Sequence, residues 1–491
     1  MPIERDRELR HSRVTRLGAT VSDANETTLA DRLESASSQL SVDASLAGTS
    51  AVARVLVSTL RRQPGAIYFD PIGSDPEFAH ELAEIAAGID PQRPLIVGRA
   101  DNPTAALHIG LDERAPLRVI ADGHGMRLAR QGELMLSRPP SGLGVVFASA
   151  IAAAEIFKQS AQVYPHRRID HDRLDFCPIT LSDDLERAPL EIPGGTFDVT
   201  LVGLGAVGSA TALILSLLHA TGRVVLIDDE VFAEENLGTY SIGTADDAAR
   251  RTTKVDLAAA TLRAFNTHPF HGRVEQAIRD IDEARLPWTP VVLSGLDSVE
   301  ARHATQLLWP DLLIDSSTGD TAAGIRVCPN GEACLMCLVQ ESARETSAMT
   351  ELIELTGLSR EDLTVGSRLV TAEDVRRAKP EIRERMGRAV GAPVCGLGRA
   401  IGLAEGGDDD YRPSIPFVSQ QAACLGVGRL IARQHGLAGS GKLEANPVQY
   451  DTLIGQSQIN AVELVSRHDC YSVVRRATIE QVREHRLRLN S

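Results

Sequence analysis

The chain has 491 residues, 43% hydrophobic and 24% charged, with a formal charge of −15. That length holds roughly two to four domains of ordinary globular composition, and the acidic balance argues against a nucleic-acid surface. We read no membrane-length apolar run and no signal-peptide pattern at Met1-Pro-Ile-Glu-Arg-Asp-Arg, so the expectation is a cytoplasmic protein with small-molecule or protein partners.

Residues 1–20 read as a short helical arm carrying Arg5, Arg7, Arg10 and Arg13. In the α/β domain read at 21–163, residues 21–50 are rich in Ser, Ala and Asp and read as including an irregular connection. From about 51 to 160, strand-like and helical pieces alternate, including helices at Val52–Leu60 and Pro76–Ala87 and strands at Gly65–Phe69 and Pro94–Gly98. No glycine-rich phosphate loop interrupts them, so this stretch reads as an α/β domain without a nucleotide site of its own. It closes on Ser141–Lys158, an apolar helix rich in small residues. The polar, Pro-punctuated stretch 164–195 reads as a linker.

The next segment, 196–338, carries the strongest signal. Thr200-Leu-Val-Gly-Leu-Gly-Ala-Val-Gly-Ser209 reads as strand, glycine turn and helix, followed by the strand Val224-Val-Leu-Ile-Asp228. Gly203 permits a tight turn, Gly205 lets backbone N–H groups approach a phosphate, and Gly208 lets the helix pack close to the strand. Asp228, about 20 residues on, stands where a carboxylate holds ribose hydroxyls. The turn by itself accepts either NAD or ATP.

Further along, Asn236 follows an acidic stretch, Lys254 opens a helix at Val255–Phe265, and the strand Pro290-Val-Val-Leu-Ser ends in Gly295-Leu-Asp297. Parallel sheets bind ligands at the carboxyl ends of their strands, which gathers Gly205, Asp228, Lys254 and Asp297 around one crevice. Lysine is scarce here, with only Lys158, Lys254, Lys379 and Lys442 in the chain. A hydride-transfer site has no use for that lysine and carboxylate. A nucleotidyl-transfer site does: the lysine neutralises charge on the α-phosphate and Asp297 holds magnesium.

Residues 339–416 read as helices and loop, and 417–491 as a small-residue helix followed by strand, turn and a closing helix near 478–489. Cys334-Leu-Met-Cys337 presents two thiolates at one-corner zinc spacing, with Cys470 as a third candidate ligand and Cys328 in reserve. Cys424 and Cys177 read as core residues. Asn266-Thr-His-Pro-Phe-His271 reads as a loop approaching a strand.

The order of glycine loop, acidic strand end, Asn-Leu, helix-opening Lys, Asp-x-x-x-x-Arg and Cys-x-x-Cys resembles the ubiquitin-activating superfamily, the ThiF/MoeB-like adenylyltransferases. The resemblance implies a Rossmann-like ThiF-type adenylation domain beside a degenerate, inactive N-terminal half. It implies activation of the C-terminal glycine of a ubiquitin-like or sulfur-carrier protein with ATP and magnesium. In it Asp228 holds the ribose, Asn236 and Lys254 the phosphates, and Asp297 the magnesium. Arg10-His-Ser-Arg13 looks like the family's arm that reaches across a dimer, with Arg13 its arginine, in a homodimer or an internal pseudo-dimer. Cys395 falls where members with thioester chemistry keep their nucleophile. A conjugating enzyme is a further candidate partner, and a bacterial conjugation system tied to phage defence is the setting implied. Two departures stand out: Asn236-Leu-Gly-Thr-Tyr240 lacks the family's phosphate-contacting arginine, and Asp297-Ser298 replaces its Asp-Asn. The rivals are an adenylyltransferase for a sulfur carrier or peptide that forms no thioester, an NAD-dependent oxidoreductase, and a non-catalytic scaffold half with a dead nucleotide pocket, which the missing arginine encourages.

Overall fold

The computed structural model describes residues 2–71, 75–190, 195–339, 343–359, 362–363, 368–391, 394, 397, 415–437, 446–458 and 474–490. The first half begins with α1 (Pro2–Val21) and α2 (Glu26–Ser35), then β1 (Ser37–Val42), α3 (Thr49–Arg61), β2 (Ala66–Asp70), α4 (Pro76–Ile89) and β3 (Ile96–Val97). It continues through β4 (Ala105–Ile109), β5 (Arg118–Asp122), β6 (Gly125–Ala129), α5 (Gly142–Ser160) and β7 (Arg173–Phe176). Local chemistry sets the helix starts: Asn25 and Asp75 accept from Thr28 N and Glu77 N, and Pro76 fits the first turn of α4.

The second half runs β8 (Thr196–Val202), α6 (Ala206–Leu217), β9 (Thr221–Asp228), α7 (Ala245–Arg250), α8 (Lys254–Thr261), β10 (Phe265–His271) and α9 (Val274–Asp282). Then come β11 (Val291–Ser294), α10 (Val299–Gln306), β12 (Leu312–Gly319), β13 (Ala322–Pro329) and α11 (Leu335–Leu338). Helices α12 (Ala343–Thr356), α13 (Ala372–Arg377) and α14 (Arg383–Arg388) follow, then α15 (Pro416–Gln434), β14 (Val448–Asp451), β15 (Gln456–Gln458) and α16 (Arg476–Asn490).

The two halves follow one plan. The first sheet has the order β3-β2-β1-β4-β5-β6-β7 and the second β10-β9-β8-β11-β12-β13-β14-β15. In each, the first five strands are parallel, as helical crossovers require, and the later strands turn back antiparallel. This is the α/β, Rossmann-like class expected, present twice.

Helices α3, α5, α6 and α15 form the centre of the join between the halves. α5 packs on α3 and α15, and α15 packs on α6 and on β12 and β13. The approach is close: a Cβ on Gly142 would sit 2.4 Å from the Leu217 carbonyl. The rings of Phe147, Phe176 and Tyr450 pack together with centroids 4.9–5.8 Å apart, tying α5 and β7 to β14. Each such ring pair contributes about 0.5–1.5 kcal/mol beyond its buried area. One hydrophobic core therefore runs through both halves.

The structure corrects three expectations. Residues 164–195 are not only a linker, because β7 pairs with β6 and buries Phe176; the surrounding charges hide that short alternation in the sequence. Asn266–His271 is not a loop but most of β10, an edge strand whose side chains are exposed or half-buried beyond the buried Phe265. Finally, α5 is long and apolar enough to cross a membrane by length and composition, yet 89% of that window is buried inside the fold. The described part of 339–416 contains the helices α12, α13 and α14 joined by non-helical stretches, with a small core of its own around Leu358, Ile382 and Met386.

Candidate active site

At the end of β8, Gly203 adopts φ +77°, a left-handed turn that glycine takes without strain. Its N–H donates to Ile227 O at 3.0 Å. α6 begins at once, capped by Gly205 with no side-chain bond to its first N–H groups. A Cβ on Gly208 would lie 2.1 Å from Gly203 O, whereas a Cβ on Gly205 would meet nothing within 4 Å. Gly208 thus serves close packing, and Gly205 faces open space at a positive helix end suited to an anion.

Asp228 closes β9 and staples its tip to this turn. Its Oδ2 accepts from Leu204 N at 2.6 Å and its Oδ1 from Glu230 N at 2.9 Å. A carboxylate retains further lone pairs for ribose hydroxyls. Burial pushes the Asp228 carboxyl above its usual range, opposed by the nearby charge of Lys254 and reinforced by that of Glu230.

Lys254 heads α8, whose cap Thr253 accepts from Asp256 N. Its side chain turns inward and is 5% exposed, with Nζ donating to Glu230 Oε2 and lying 5.3 Å over the Tyr240 ring. Burial by itself would lower its pKa, but Tyr240, Asp228 and Glu230 more than reverse this, so the ammonium stays charged. Asn236 is buried, its Oδ1 accepting from Ala233 N at 2.9 Å.

Asp297 lies three residues beyond β11 and is exposed. Its loop presses on the glycine turn: a Cβ on Gly295 would sit 3.1 Å from Gly208 N and 3.3 Å from Gly203 O. Arg302 fixes that loop by donating from Nε and Nη2 to Leu296 O at 3.0 and 2.7 Å. Arg302 is itself anchored by the fully buried Asp315 at 3.5 Å, which also pairs with Arg326 at 3.2 Å. Asp228 and the loop that carries Asp297 therefore both touch the glycine turn, and Lys254 lies near Asp228.

The arm also reaches this region. α1 packs against the Glu234–Asn236 segment of the same chain, and Arg93 Nη2 donates to His11 Nε2 at 2.6 Å, fastening α1 to the first half. Arg13 lies half-buried on that helix. The arm meets the second half within one chain.

The zinc expectation meets less. Cys334 and Cys337 Sγ atoms lie 3.6 Å apart at α11, and Cys328 is buried close by. Cys470 lies outside the described residues, and among those described no cluster of three or more His, Cys, Asp or Glu is placed to hold a metal ion. Cys395 also lies outside the described residues. Cys177 and Cys424 are buried in the core, and burial raises both thiols.

Sequence reading passed over a signal of internal duplication. Val42 pairs with Ile109, and Val202 with Ser294, in matching registers. Gly110-Leu-Asp112 and Gly295-Leu-Asp297 therefore occupy the same place in the two halves. In the first half the turn is altered: Asp43 stands where Gly203 does and folds back onto Ser45 N and Oγ at 3.2 and 2.6 Å. Asp112 is held by Arg114 at 2.8 and 2.9 Å.

Duplicated Rossmann-like halves, with one intact phosphate turn, define a nucleotide-binding α/β enzyme. The ThiF family model matches residues 195–471, more than half of the chain, and the chain belongs to that family as an adenylyltransferase. Among curated proteins no match was found. Among solved structures, E. coli MccB with succinimide is 11% identical, over 73% of this chain and 97% of that one, with a TM-score of 0.37. E. coli MccB with ATP is 11% identical over 73% and 98%, with a TM-score of 0.35. PaaA is 14% identical over 54% and 72%, with a TM-score of 0.33. The family match, not these distant likenesses, carries the identification.

Proposed function

We propose that the enzyme activates the C-terminal carboxylate of a ubiquitin-like protein by adenylation at the crevice of Gly203, Gly205, Gly208, Asp228, Asn236, Lys254 and Asp297. The observation that carries this reading is the buried, charged Lys254 beside Asp228, at the strand ends where α6 presents uncapped N–H groups.

In this reading the α6 N-terminus and Lys254 hold the triphosphate, and Asp228 holds the ribose. A carboxylate oxygen of the partner attacks the α-phosphorus. An O–P bond forms as the bond to the bridging oxygen breaks, and pyrophosphate leaves with the electron pair. Lys254 offsets the charge that builds on the α-phosphate, an electrostatic contribution of the kind that dominates phosphoryl chemistry. Magnesium supplies neutralisation of the leaving pyrophosphate when bound, and the exposed Asp297 is the residue that would hold it. Arg13, on the arm beside Asn236, adds a cation from the same chain. In a second step the Cys395 thiolate attacks the acyl carbon, forming a thioester as AMP leaves. Zinc at Cys334, Cys337 and Cys470 belongs to this proposal as a structural element. We place the enzyme in a bacterial ubiquitin-like conjugation system with an antiphage role, on the resemblance of its motifs.

The test is ATP–pyrophosphate exchange with candidate proteins ending in glycine, followed by non-reducing gels for thioester. Exchange that requires the terminal glycine and is lost in Lys254→Ala supports adenylation. A thioester that disappears in Cys395→Ser supports the second step; exchange without any thioester limits the enzyme to adenylation. No partner-dependent exchange with any carboxylate substrate sinks the proposal.

A further inference from the structure

The first half has lost its own phosphate turn, yet it sends a buried side chain into the second half. Arg62, immediately after α3, is 1% exposed. Its Nη1 donates to Leu237 O at 3.1 Å and its Nη2 to Gly243 O at 2.9 Å. One planar guanidinium therefore grips both ends of the stretch 238–242. Such a fork fixes two acceptors at once, which a lysine ammonium on a flexible stem does not.

Tyr240 stands in the middle of that stretch. It is 2% exposed, packs edge-on against Phe232 at 5.1 Å, and forms the floor under the Lys254 ammonium. Ser241 N donates to Ser209 Oγ at 3.1 Å, so the same stretch is tied to α6, the helix that opens at the glycine turn. The contacts form an unbroken series from Arg62 through the 237–243 stretch to Tyr240 and Lys254.

We propose that Arg62 is a positioning residue for the nucleotide site: by clamping Leu237 O and Gly243 O it holds Tyr240 beneath Lys254 and so sets where the ammonium meets a phosphate. This rests on the reading of Lys254 as a phosphate ligand. It assigns the degenerate half a part in nucleotide binding, distinct from the arm that carries Arg13. The chemical partner is the triphosphate of a nucleotide, and Arg62 acts on it only through Tyr240 and Lys254.

The experiment uses the full chain, with Mg-ATP affinity by calorimetry on a non-hydrolysable analogue and amide hydrogen exchange at 238–242. Arg62→Met removes both clamps, and Arg62→Lys keeps the charge with at most one. The comparator is Gln420→Leu, which removes a different buried bond between the halves, Gln420 Nε2 to Thr59 Oγ1 at 2.8 Å. The expected result is a loss of affinity on the order of tenfold in Arg62→Met, equal to ~1.4 kcal/mol, and a smaller loss in Arg62→Lys. Exchange at 238–242 speeds up in both, Tyr240→Leu reproduces the affinity loss, and Gln420→Leu binds as the parent does. Should Arg62→Met fail to fold, Arg62→Lys and Tyr240→Leu carry the same test. Variants that bind like the parent, or a Gln420→Leu as weak as Arg62→Met, overturn the proposal while leaving the nucleotide site intact. A parent chain that binds no Mg-ATP removes the nucleotide reading and this proposal together.

Discussion

Replacing Lys254 by Met keeps the stem's bulk and removes its charge, which separates two effects that the structure predicts. The first is on folding. Lys254 is 5% exposed and Glu230 35%, so the pair is buried at one end and solvated at the other. Breaking a fully buried pair costs about 3–5 kcal/mol; with Glu230 partly in water, screening reduces the expectation to about 1–3 kcal/mol. The loss should depend on pH. Asp228 is already held above the usual carboxylate range by burial, with Lys254 opposing the rise. A carboxyl whose folded pKa is raised binds its proton more tightly folded than unfolded. Its stabilising contribution is present below the unfolded value and is lost as pH rises through the folded value. Without Lys254 that folded value climbs further, so the part of the Lys254→Met deficit that comes through Asp228 is absent where Asp228 is protonated and grows as pH rises to neutral, on top of the loss of the Glu230 pair. Denaturant unfolding at several pH values checks this. The second effect is catalytic: loss of one preorganised charge at the reacting phosphate costs about 10²–10³ in rate, read by pyrophosphate exchange. A destabilisation flat from acid to alkaline pH, with exchange unchanged, would refute the assignment of Lys254 to this cluster.

Four further outcomes follow from the same geometry. Gly205→Ala should unfold like the parent, since its Cβ meets nothing, yet bind Mg-ATP on the order of tenfold more weakly because the methyl enters the anion's space. Gly208→Ala should instead lose about 1–3 kcal/mol of stability, its Cβ being driven into Gly203 O, and equilibrium unfolding distinguishes the two. Asp297→Ala should lower exchange about 100-fold, whereas Asp112→Ala, at the matching place in the first half, should leave it unchanged; equal effects would contradict a single working site. Arg302→Met should cost about 2–4 kcal/mol by taking one of the two arginines from the fully buried Asp315, and should weaken exchange through the released Leu296 carbonyl.

Much of the site was legible because its signals are local. A glycine's missing Cβ, an acidic residue at a strand tip and a lysine opening a helix are each fixed by a few neighbouring residues: Gly203 turns through a positive φ, Gly208 packs on Gly203 O, Asp228 closes β9 and Lys254 opens α8. The Gly-Leu-Asp that recurs at Gly110 and Gly295 was equally present in the sequence. It gains meaning only when strand register shows that both copies follow the fourth strand of a sheet. β7 stayed hidden since its pairing with β6 across a long connection outweighs the polar character of its residues.

The sequence by itself determined a parallel α/β fold, one intact phosphate turn and the identity of the acids and the lysine around it, because those depend on side-chain size and charge over short spans. Only the tertiary structure decided which half supports which. The arm of α1 lying against the Asn236 segment and Arg62 reaching Leu237 and Gly243 join residues separated by up to some 230 positions. Such contacts are set by how four helices pack between two sheets, a three-dimensional fit that no local pattern encodes.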